Sequence, residues 1–237
     1  AIGRALELET LGLRVEAMGE WSVALAEREN DPYALYALAR LAHERGVPAI
    51  ALRAASRIAR PAPGNGAADA PTTLRRLIYP APFISLVRAR ADEYGVDPAL
   101  LMALLRQESA FDPAATSWVG ARGLAQVMPA TGQGIAQALG IADFRETDLY
   151  RPDLSIRFGS YYLSRQIAAM DQVLEGALAA YNGGPGNAQR WSGGAPITDP
   201  DLYVERIDFE ETRNYVKLVL GQYAVYQRLY DWRQTTP

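Results

Sequence analysis

Apolar residues recur at the three- and four-residue spacing of an α-helix along most of this 237-residue chain. The segment VDPALLMALL, residues 96 to 105, shows the pattern clearly, because Asp97 is a suitable N-cap and Pro98 suits the first helical position. Alternating strand patterns are scarce, and no tight turn stands between two convincing β-runs. The sequence therefore predicts a mainly α fold.

The chain divides into three predicted parts. Residues 1–60 contain short amphipathic helices, one of them opened by Asp31 and Pro32, and they predict the end of a helical-hairpin array or a docking layer. Residues 61–75 include PAPGNGAADAPTT, which has no apolar period and predicts a linker or an extended surface crossing. Residues 76–237 hold the other predicted helices and are expected to form the main domain.

Residue counts exclude several classes of active site. The chain has no cysteine, so disulfides, thiolate metal sites and cysteine nucleophiles are excluded. Its single histidine, His43, lies in an ordinary amphipathic helix, which argues against serine–histidine triads and multi-histidine zinc sites. Carboxylates, hydroxyls and amides remain as candidate catalytic groups, and we expect no metal and no cofactor.

Charge and hydropathy bear on the partners and the location. The formal net charge of −3 gives no general reason to expect nucleic acid or an anionic membrane surface as a partner. No run of about 18 apolar residues encodes a membrane span. The chain starts AIGRALELE, without a basic segment followed by an apolar one, so we expect any signal peptide to be missing from it.

Glu108 stands where the helical pattern calls for another leucine. It continues the stripe of Leu101, Leu104 and Leu105, and a carboxyl group drawn toward an apolar interior has a raised pKa, because desolvation disfavours its charged form. A glutamate that stays protonated near neutral pH can serve as a general acid. The alternative is that Glu108 lies at the end of the helix, where the stripe has run out and water solvates the side chain.

A Gly-rich segment, VGARGLAQVMPATG, covers residues 119 to 132. Its glycines permit close approach of the backbone to a ligand, Gln126 offers a donor and an acceptor, and Met128 could supply an apolar wall. Taken alone, the segment is better explained as a connection between helices whose leucine and methionine pack in the core.

Two later segments also carry candidate residues. In LAAYNGGPG, residues 178 to 186, Asn182 and Gly183 suit a left-handed C-cap, whereas the phenol of Tyr181 needs a polar partner, such as a carboxyl group from another helix. FEETRNYV, residues 209 to 216, opens a long amphipathic helix, and a capping role is favoured for either Glu210 or Glu211.

In order and spacing, these segments resemble the soluble lytic transglycosylases that cleave bacterial peptidoglycan. The matching motifs are ES at 108–109, GLAQVMP at 123–129, AYN at 180–182, and ETR with YV at 211–216. The resemblance covers roughly residues 76 to 232. It implies a lysozyme-like catalytic domain preceded by the end of an α-superhelix in residues 1–60, glycan strands of peptidoglycan as the partner, and a periplasmic location.

The resemblance also implies a mechanism with Glu108 as the sole acid/base. The residue would protonate the glycosidic oxygen between N-acetylmuramic acid and N-acetylglucosamine, then accept the proton of the muramoyl 6-hydroxyl, giving a 1,6-anhydromuramoyl end. Ordinary glycosidases need two carboxylates. An intramolecular nucleophile removes that need, because its effective concentration is high. The nearest candidate second carboxylate is Asp112, whose position before Pro113 predicts a cap.

Other residues match groove positions of the family. Ser117, Gln126 and Met128 are expected to line the groove and contact sugars, and Glu211 is expected to place substrate without transferring protons. The remaining matches are Tyr181, whose hydroxyl would lie near the catalytic carboxyl group, and Asn182 beside it.

The chain departs from the family pattern at three positions. Ala125 replaces a common methionine and Gly183 a common alanine, and both changes are expected to alter packing alone. Asp208 replaces a common proline, so the start of the last helix is expected to differ.

Two other functions stay open from the sequence. One is a hydrolytic muramidase of the goose-type lysozyme class, and the other is a non-catalytic glycan-binding module. The sequence neither supports nor excludes a protein partner for residues 1–60.

Overall fold

The computed structural model describes residues 1–60 and 70–232, and its only β-structure within them is two isolated antiparallel bridges. The prediction of a mainly α chain is therefore confirmed. The described α-helices, α1 to α13 in chain order, are Ile2–Thr10, Arg14–Ala26, Pro32–Glu44, Pro48–Ala59, Thr72–Ile78, Ile84–Tyr94, Pro98–Ser109, Pro129–Ala138, Pro152–Ala169, Leu174–Gly183, Pro185–Ser192, Pro200–Arg206 and Glu210–Leu229. A 3-10 helix, Glu146–Tyr150, precedes α9.

The chain forms two compact units, Ala1–Pro82 with Ala110–Ala114, and Phe83–Ser109 with Ala115–Pro237. In the first unit, α1 packs against α2, α3 against α4, and α5 against both α3 and α4. The side chain of Asp31 accepts hydrogen bonds from the amides of Tyr33 and Ala34, which confirms the predicted start of α3. None of the helices in residues 1–60 and 70–232 is both long and apolar enough to span a bilayer.

The structure differs from the sequence-based description in the first unit. Of the predicted linker, residues 61–69 lie outside the described residues, and the helix α5 begins at Thr72, so residues 72 to 75 are helical. Helix formation is favoured there because Leu77 and Ile78 are buried in the core of the first unit. The superhelix assignment and a docking role for residues 1–60 stay predictions.

Helix α7 occupies the interior of the second unit. Its residues from Ala99 to Leu105 are all buried, so it presents apolar side chains on every face, as expected of a helix enclosed by others. It packs against α6 and α13. The carboxylate of Asp97 accepts hydrogen bonds from the amide of Ala99 at 2.7 Å and from the hydroxyl of Tyr223 at 2.7 Å, which confirms the predicted cap and ties it to α13.

Two predicted caps are wrong. Helix α10 continues through Gly183 and ends at Gly184, which has a φ of +87°, so Asn182 and Gly183 form no left-handed cap. A proline then suits the first position of α11. Helix α13 begins after Phe209 with no side-chain cap, and Glu210 and Glu211 lie in its first turn, where negative charge complements the helix dipole.

Residues 115 to 128, here called the Gly-rich loop, depend on Gly123. This residue has a φ of +74°, and a Cβ placed on it would lie 1.9 Å from the carbonyl oxygen of Leu149 and 2.8 Å from Oγ of Ser155. The loop backbone therefore lies directly against the 3-10 helix and α9. Only glycine satisfies both the backbone conformation and the space.

We expect Gly123→Ala to destabilise the protein much more than Gly120→Ala. Gly120 has a φ of +90° but open space around its Cβ position, so alanine there adds only left-handed strain of about 1–2 kcal/mol. At Gly123 the collision adds a further cost of about 1–3 kcal/mol. Urea unfolding of both variants measures the difference. Equal losses in the free energy of unfolding for the two variants would contradict the close contact between Gly123 and Leu149.

Candidate active site

Glu108 lies at the C-terminal end of α7 and receives a hydrogen bond from α13. The hydroxyl of Tyr215 donates to Oε1 of Glu108 at 2.5 Å, and Tyr215 itself is only 5% exposed. Glu108 is half-buried, so its carboxyl group is enclosed by protein without being sealed from a ligand. The position of Glu108 on the leucine stripe of α7 thus places its carboxyl group against the phenol of Tyr215 on α13.

The surroundings raise the pKa of Glu108 from 4.5 to about 8. Desolvation by burial is the largest cause, and the charge of Glu211 acts in the same direction, whereas the hydrogen bond from Tyr215 lowers the pKa. The predicted rise in the pKa of Glu108 is confirmed, and the alternative of a freely solvated helix end is wrong. At neutral pH the group is mainly protonated and can donate a proton.

Tyr181 also lies close to this carboxyl group. Burial and then the charge of Glu108 raise the pKa of the Tyr181 phenol well above 10.0. Its hydroxyl, however, donates to the carbonyl oxygen of Ala125 at 2.9 Å, so its hydrogen-bond partner is a backbone carbonyl rather than the predicted carboxyl group. The ring of Tyr162 packs edge-on against Tyr181, with 5.2 Å between centroids.

Two backbone carbonyl oxygens of the Gly-rich loop accept hydrogen bonds that hold the loop beside Glu108. Ser109, the residue after Glu108, is buried and donates through Oγ to the carbonyl of Leu124 at 2.9 Å. Tyr181 binds the next carbonyl, that of Ala125. Because these hydrogen bonds come from α7 and α10, the loop is held against both helices near the carboxyl group of Glu108.

Gln126 adopts a strained backbone conformation, with a φ of +47°. Its Nε2 donates to the carbonyls of Ala115 at 3.2 Å and of Gly123 at 2.9 Å, which braces the loop from within. Strain of this kind persists where surrounding contacts fix it, often at functional sites. The structure therefore gives Gln126 a supporting role, and its predicted contact with sugars stays a prediction.

Ser117 and Met128 lie at opposite ends of the same loop. Oγ of Ser117 accepts a hydrogen bond from the amide of Ala121 at 2.9 Å, which closes a tight turn. Met128 precedes α8 and is 41% exposed, so it does not belong to the core. Both residues belong to the loop that Ser109 and Tyr181 hold beside Glu108, and their expected contact with sugars stays a prediction.

Asn182 and Glu211 belong to the neighbouring helices. Oδ1 of Asn182 accepts a hydrogen bond from Thr212 at 2.7 Å, which ties the end of α10 to the first turn of α13. Glu211 is exposed, yet its charge acts on the pKa of Glu108. The candidate residues from α7, α10, α13 and the Gly-rich loop therefore come together in the second unit.

The predicted cap at Asp112 is present in the first unit. Oδ1 of Asp112 accepts a hydrogen bond from the amide of Ala114 at 2.9 Å.

Within residues 1–60 and 70–232, no three histidine, cysteine, aspartate or glutamate side chains come together as a possible metal site.

Tyr215 is a site residue that sequence reasoning missed, although it belongs to the YV motif. The available signal was its position in the buried stripe of α13, one turn after Thr212 and next to Val216. A phenol in such a stripe needs a polar partner, by the same argument that was applied to Tyr181. The structure identifies that partner as Glu108.

Residues 85–203 match the family described as Transglycosylase SLT domain. The soluble lytic murein transglycosylase of Salmonella typhimurium is 40% identical over 134 residues, which make up 56% of this chain and 21% of that protein. The protein of the same description from Escherichia coli K12 is 34% identical over 151 residues, 63% of this chain and 23% of that protein. The matched segments thus span less than a quarter of the length of these relatives.

Two solved structures are similar over nearly the whole chain. An inactive glutamate-to-glutamine mutant of the lytic transglycosylase Slt from Pseudomonas aeruginosa is 31% identical, with a TM-score of 0.81 over 97% of this chain and 36% of that one. The 70 kDa soluble lytic transglycosylase from Escherichia coli is 28% identical, with a TM-score of 0.81 over 96% of this chain and 35% of that one.

We expect Glu108→Gln to remove a pH-dependent loss of stability. Between pH 4.5 and about 8 the unfolded chain has released the proton of residue 108, whereas the folded protein retains it. The free energy of unfolding of the parent should therefore fall, relative to the variant, by up to about 1.4 kcal/mol per pH unit in this window. Urea unfolding at pH 4.5, 6 and 8 measures the effect.

The control is Glu205→Gln, because the hydrogen bond from Lys217 lowers the pKa of Glu205. A carboxylate with a lowered pKa is charged in both the folded and the unfolded state above its unfolded pKa, so this variant and the parent should keep a nearly constant difference in stability across the same pH range. If the parent and Glu108→Gln keep a constant difference in stability from pH 4.5 to 8, the proton is not retained at Glu108.

Proposed function

Because the chain belongs to the transglycosylase SLT domain family, we propose that it is a peptidoglycan lytic transglycosylase with Glu108 as its single acid/base. Its substrate would be the β-1,4 bond between N-acetylmuramic acid and N-acetylglucosamine, and its product a 1,6-anhydromuramoyl end. The cell envelope of a bacterium, and the periplasm in particular, is the location that this substrate requires. The relatives named as soluble lytic murein transglycosylases are bacterial proteins.

The observation that carries the proposal is the raised pKa of Glu108 beside Tyr215. A group with a pKa of about 8 is protonated at neutral pH, as a general acid must be before it transfers its proton. The glutamate-to-glutamine substitution in the inactive Pseudomonas aeruginosa relative supports an essential glutamate in this family.

In the first half of the reaction, Glu108 donates its proton to the glycosidic oxygen as the bond from the anomeric carbon to that oxygen breaks. The neutral sugar hydroxyl leaves, and positive charge develops on the muramoyl ring. The carboxylate that forms on Glu108 is stabilised by the hydrogen bond from Tyr215, because this bond favours the charged form. Tyr215 thus offsets part of the desolvation that keeps the acid protonated.

In the second half, the muramoyl 6-hydroxyl attacks the anomeric carbon and the Glu108 carboxylate accepts its proton. A bond from the anomeric carbon to the 6-oxygen replaces the bond that was broken, no water is consumed, and Glu108 regains its starting state. One carboxyl group suffices because the nucleophile belongs to the substrate. Burial and the nearby charge of Glu211 raise the basicity of Glu108 and so favour this proton return.

Around this acid, the Gly-rich loop and the ends of α10 and α13 supply candidate sugar contacts. We assign substrate binding to Ser117 and Met128 on the loop, to Asn182 on α10 and to Glu211 on α13. Gln126 would act by holding the loop through its amide group, and Tyr181 by fixing the Ala125 carbonyl.

We expect Glu108→Gln to abolish release of 1,6-anhydromuropeptides from purified peptidoglycan while binding of glycan strands persists. Glutamine keeps the shape of the side chain and can accept the hydrogen bond from Tyr215, but it has no acidic proton to donate. A loss of at least about a thousandfold in rate is expected for removal of the only acid. Mass spectrometry of the released muropeptides measures both the rate and the product.

The control is Glu210→Gln, which changes the glutamate beside Glu211 in the first turn of α13. This variant should release the same products as the parent. Parent products heavier by one water, with reducing ends, would overturn the transglycosylase assignment in favour of a hydrolytic muramidase. Full activity of Glu108→Gln would show that the acid lies elsewhere, and binding without any release by the parent would indicate a glycan-binding module.

We expect Tyr215→Phe to move the alkaline limb of the activity profile to higher pH. Activity should fall as pH rises through the pKa of Glu108, about 8, because the acid must be protonated to start the reaction. Removing the hydrogen bond from Tyr215 raises this pKa further, because the charged form loses its donor. Profiles of kcat/KM against pH for the two proteins measure the displacement.

Tyr223→Phe is the matched control, because this phenol lies on the same helix but donates to Asp97. Its alkaline limb should coincide with that of the parent. If the alkaline limb of Tyr215→Phe lies at the same pH as that of the parent, the hydrogen bond from Tyr215 does not lower the pKa of Glu108.

A further inference from the structure

Trp118 is almost fully exposed. Its relative exposure is 96%, whereas Trp21 and Trp191 are buried, and its neighbour Val119 on the same turn is 50% exposed. An indole in water gives up the burial that normally makes tryptophan stabilise a fold. Packing against the residues that the structure describes therefore does not explain the side chain, and exposed aromatic groups of this kind indicate a binding surface.

The turn that carries Trp118 is well braced. The amide and Oγ of Ser117 hydrogen bond with the carbonyl and amide of Ala121, respectively, at 2.9 Å each, so both ends of the turn are joined. Outside the turn, the hydroxyls of Thr116 and Tyr150 lie 2.7 Å apart, and Arg122 pairs with Glu146 at 3.1 Å. The indole is thus presented from a preorganised backbone, which lowers the entropy lost on binding.

The same loop leads from Trp118 to the Glu108 site. Arg122, which follows the turn, forms antiparallel bridges with Thr116, which precedes it, and with Val127, so the turn continues directly into the segment next to the acid. That segment is held there by the hydrogen bonds that the Leu124 and Ala125 carbonyls accept. The indole and the segment next to the acid therefore belong to one continuous, braced loop.

We propose that Trp118 is a substrate-binding residue that stacks on a sugar ring of the glycan strand, away from the bond that is cleaved. The inference rests on the proposed function for the choice of ligand. The C–H face of a pyranose ring is apolar and slightly positive, and it complements the negative face of an indole. The exposed apolar surface at the turn is a single indole with Val119, which suits one sugar ring but is too small for a stable protein interface.

The test compares binding of purified glycan strands by Glu108→Gln and by Glu108→Gln with Trp118→Ala, where no cleavage complicates the measurement. The dissociation constant should rise about tenfold on loss of the indole, which corresponds to about 1.4 kcal/mol. Trp118→Phe should recover most of the affinity, because it keeps an aromatic face, whereas Trp118→Leu should not. Tyr33→Ala, which removes another highly exposed aromatic group, should leave binding unchanged.

In the active protein, Trp118→Ala should raise KM on peptidoglycan with little change in kcat, since the indole acts on binding away from the reacting atoms. Dissociation constants and KM values within twofold of the parent would overturn the inference. So would weaker binding of Trp118→Ala to phosphatidylglycerol vesicles with unchanged binding to glycan strands, which would make the indole a membrane contact.

The two proposals can fail separately. If the parent releases no 1,6-anhydro products but loss of the indole still weakens glycan binding, the proposed reaction is wrong and the assignment of Trp118 stands. If those products appear and Trp118→Ala changes neither binding nor KM, the reaction stands and the assignment of Trp118 is wrong.

Discussion

The enclosed carboxyl group of Glu108, hydrogen bonded by Tyr215, is the interaction on which the site depends. The two effects oppose each other, because burial favours the protonated acid whereas the phenol favours the carboxylate, and burial prevails. A group balanced in this way can both give and regain a proton near neutral pH. The cost is that the folded state retains a proton that the unfolded chain would release, so the site opposes stability as pH rises.

The rest of the second unit holds that carboxyl group and its surroundings in place. Helix α7 brings Glu108 to its position because every face of the preceding segment is apolar and buried. Ser109 and Tyr181 use backbone carbonyls of the Gly-rich loop as acceptors, so a shift of the loop would break hydrogen bonds to both helices. Gly123 allows the loop backbone to lie against Leu149, and substrate contacts can then be carried on a fixed frame.

Local signals predicted what depends on local sequence. The phase of the leucine stripe placed Glu108 toward the interior, and Asp97 with Pro98 marked the start of its helix. The partner of Tyr181 and the role of Tyr215 depend on how distant helices pack, which periodicity does not specify. The cap predicted at Asn182 was wrong because helix α10 continues through Gly183 and ends at Gly184.

Gly183 and Asp208, two of the residues at which the chain is expected to depart from the family pattern, both lie against Trp191. A Cβ on Gly183 would lie 2.7 Å from Cη2 of Trp191, so alanine at this position would force the backbone or the indole to shift. The indole nitrogen of Trp191 donates to Asp208 at 2.6 Å. Hydrogen bonds from Arg190 and then Trp191 lower the pKa of Asp208 to about 2, so the carboxylate keeps its charge. Gly183 thus leaves room for the indole of Trp191 and Asp208 accepts its hydrogen bond, so both residues fit one buried tryptophan beside the start of α13.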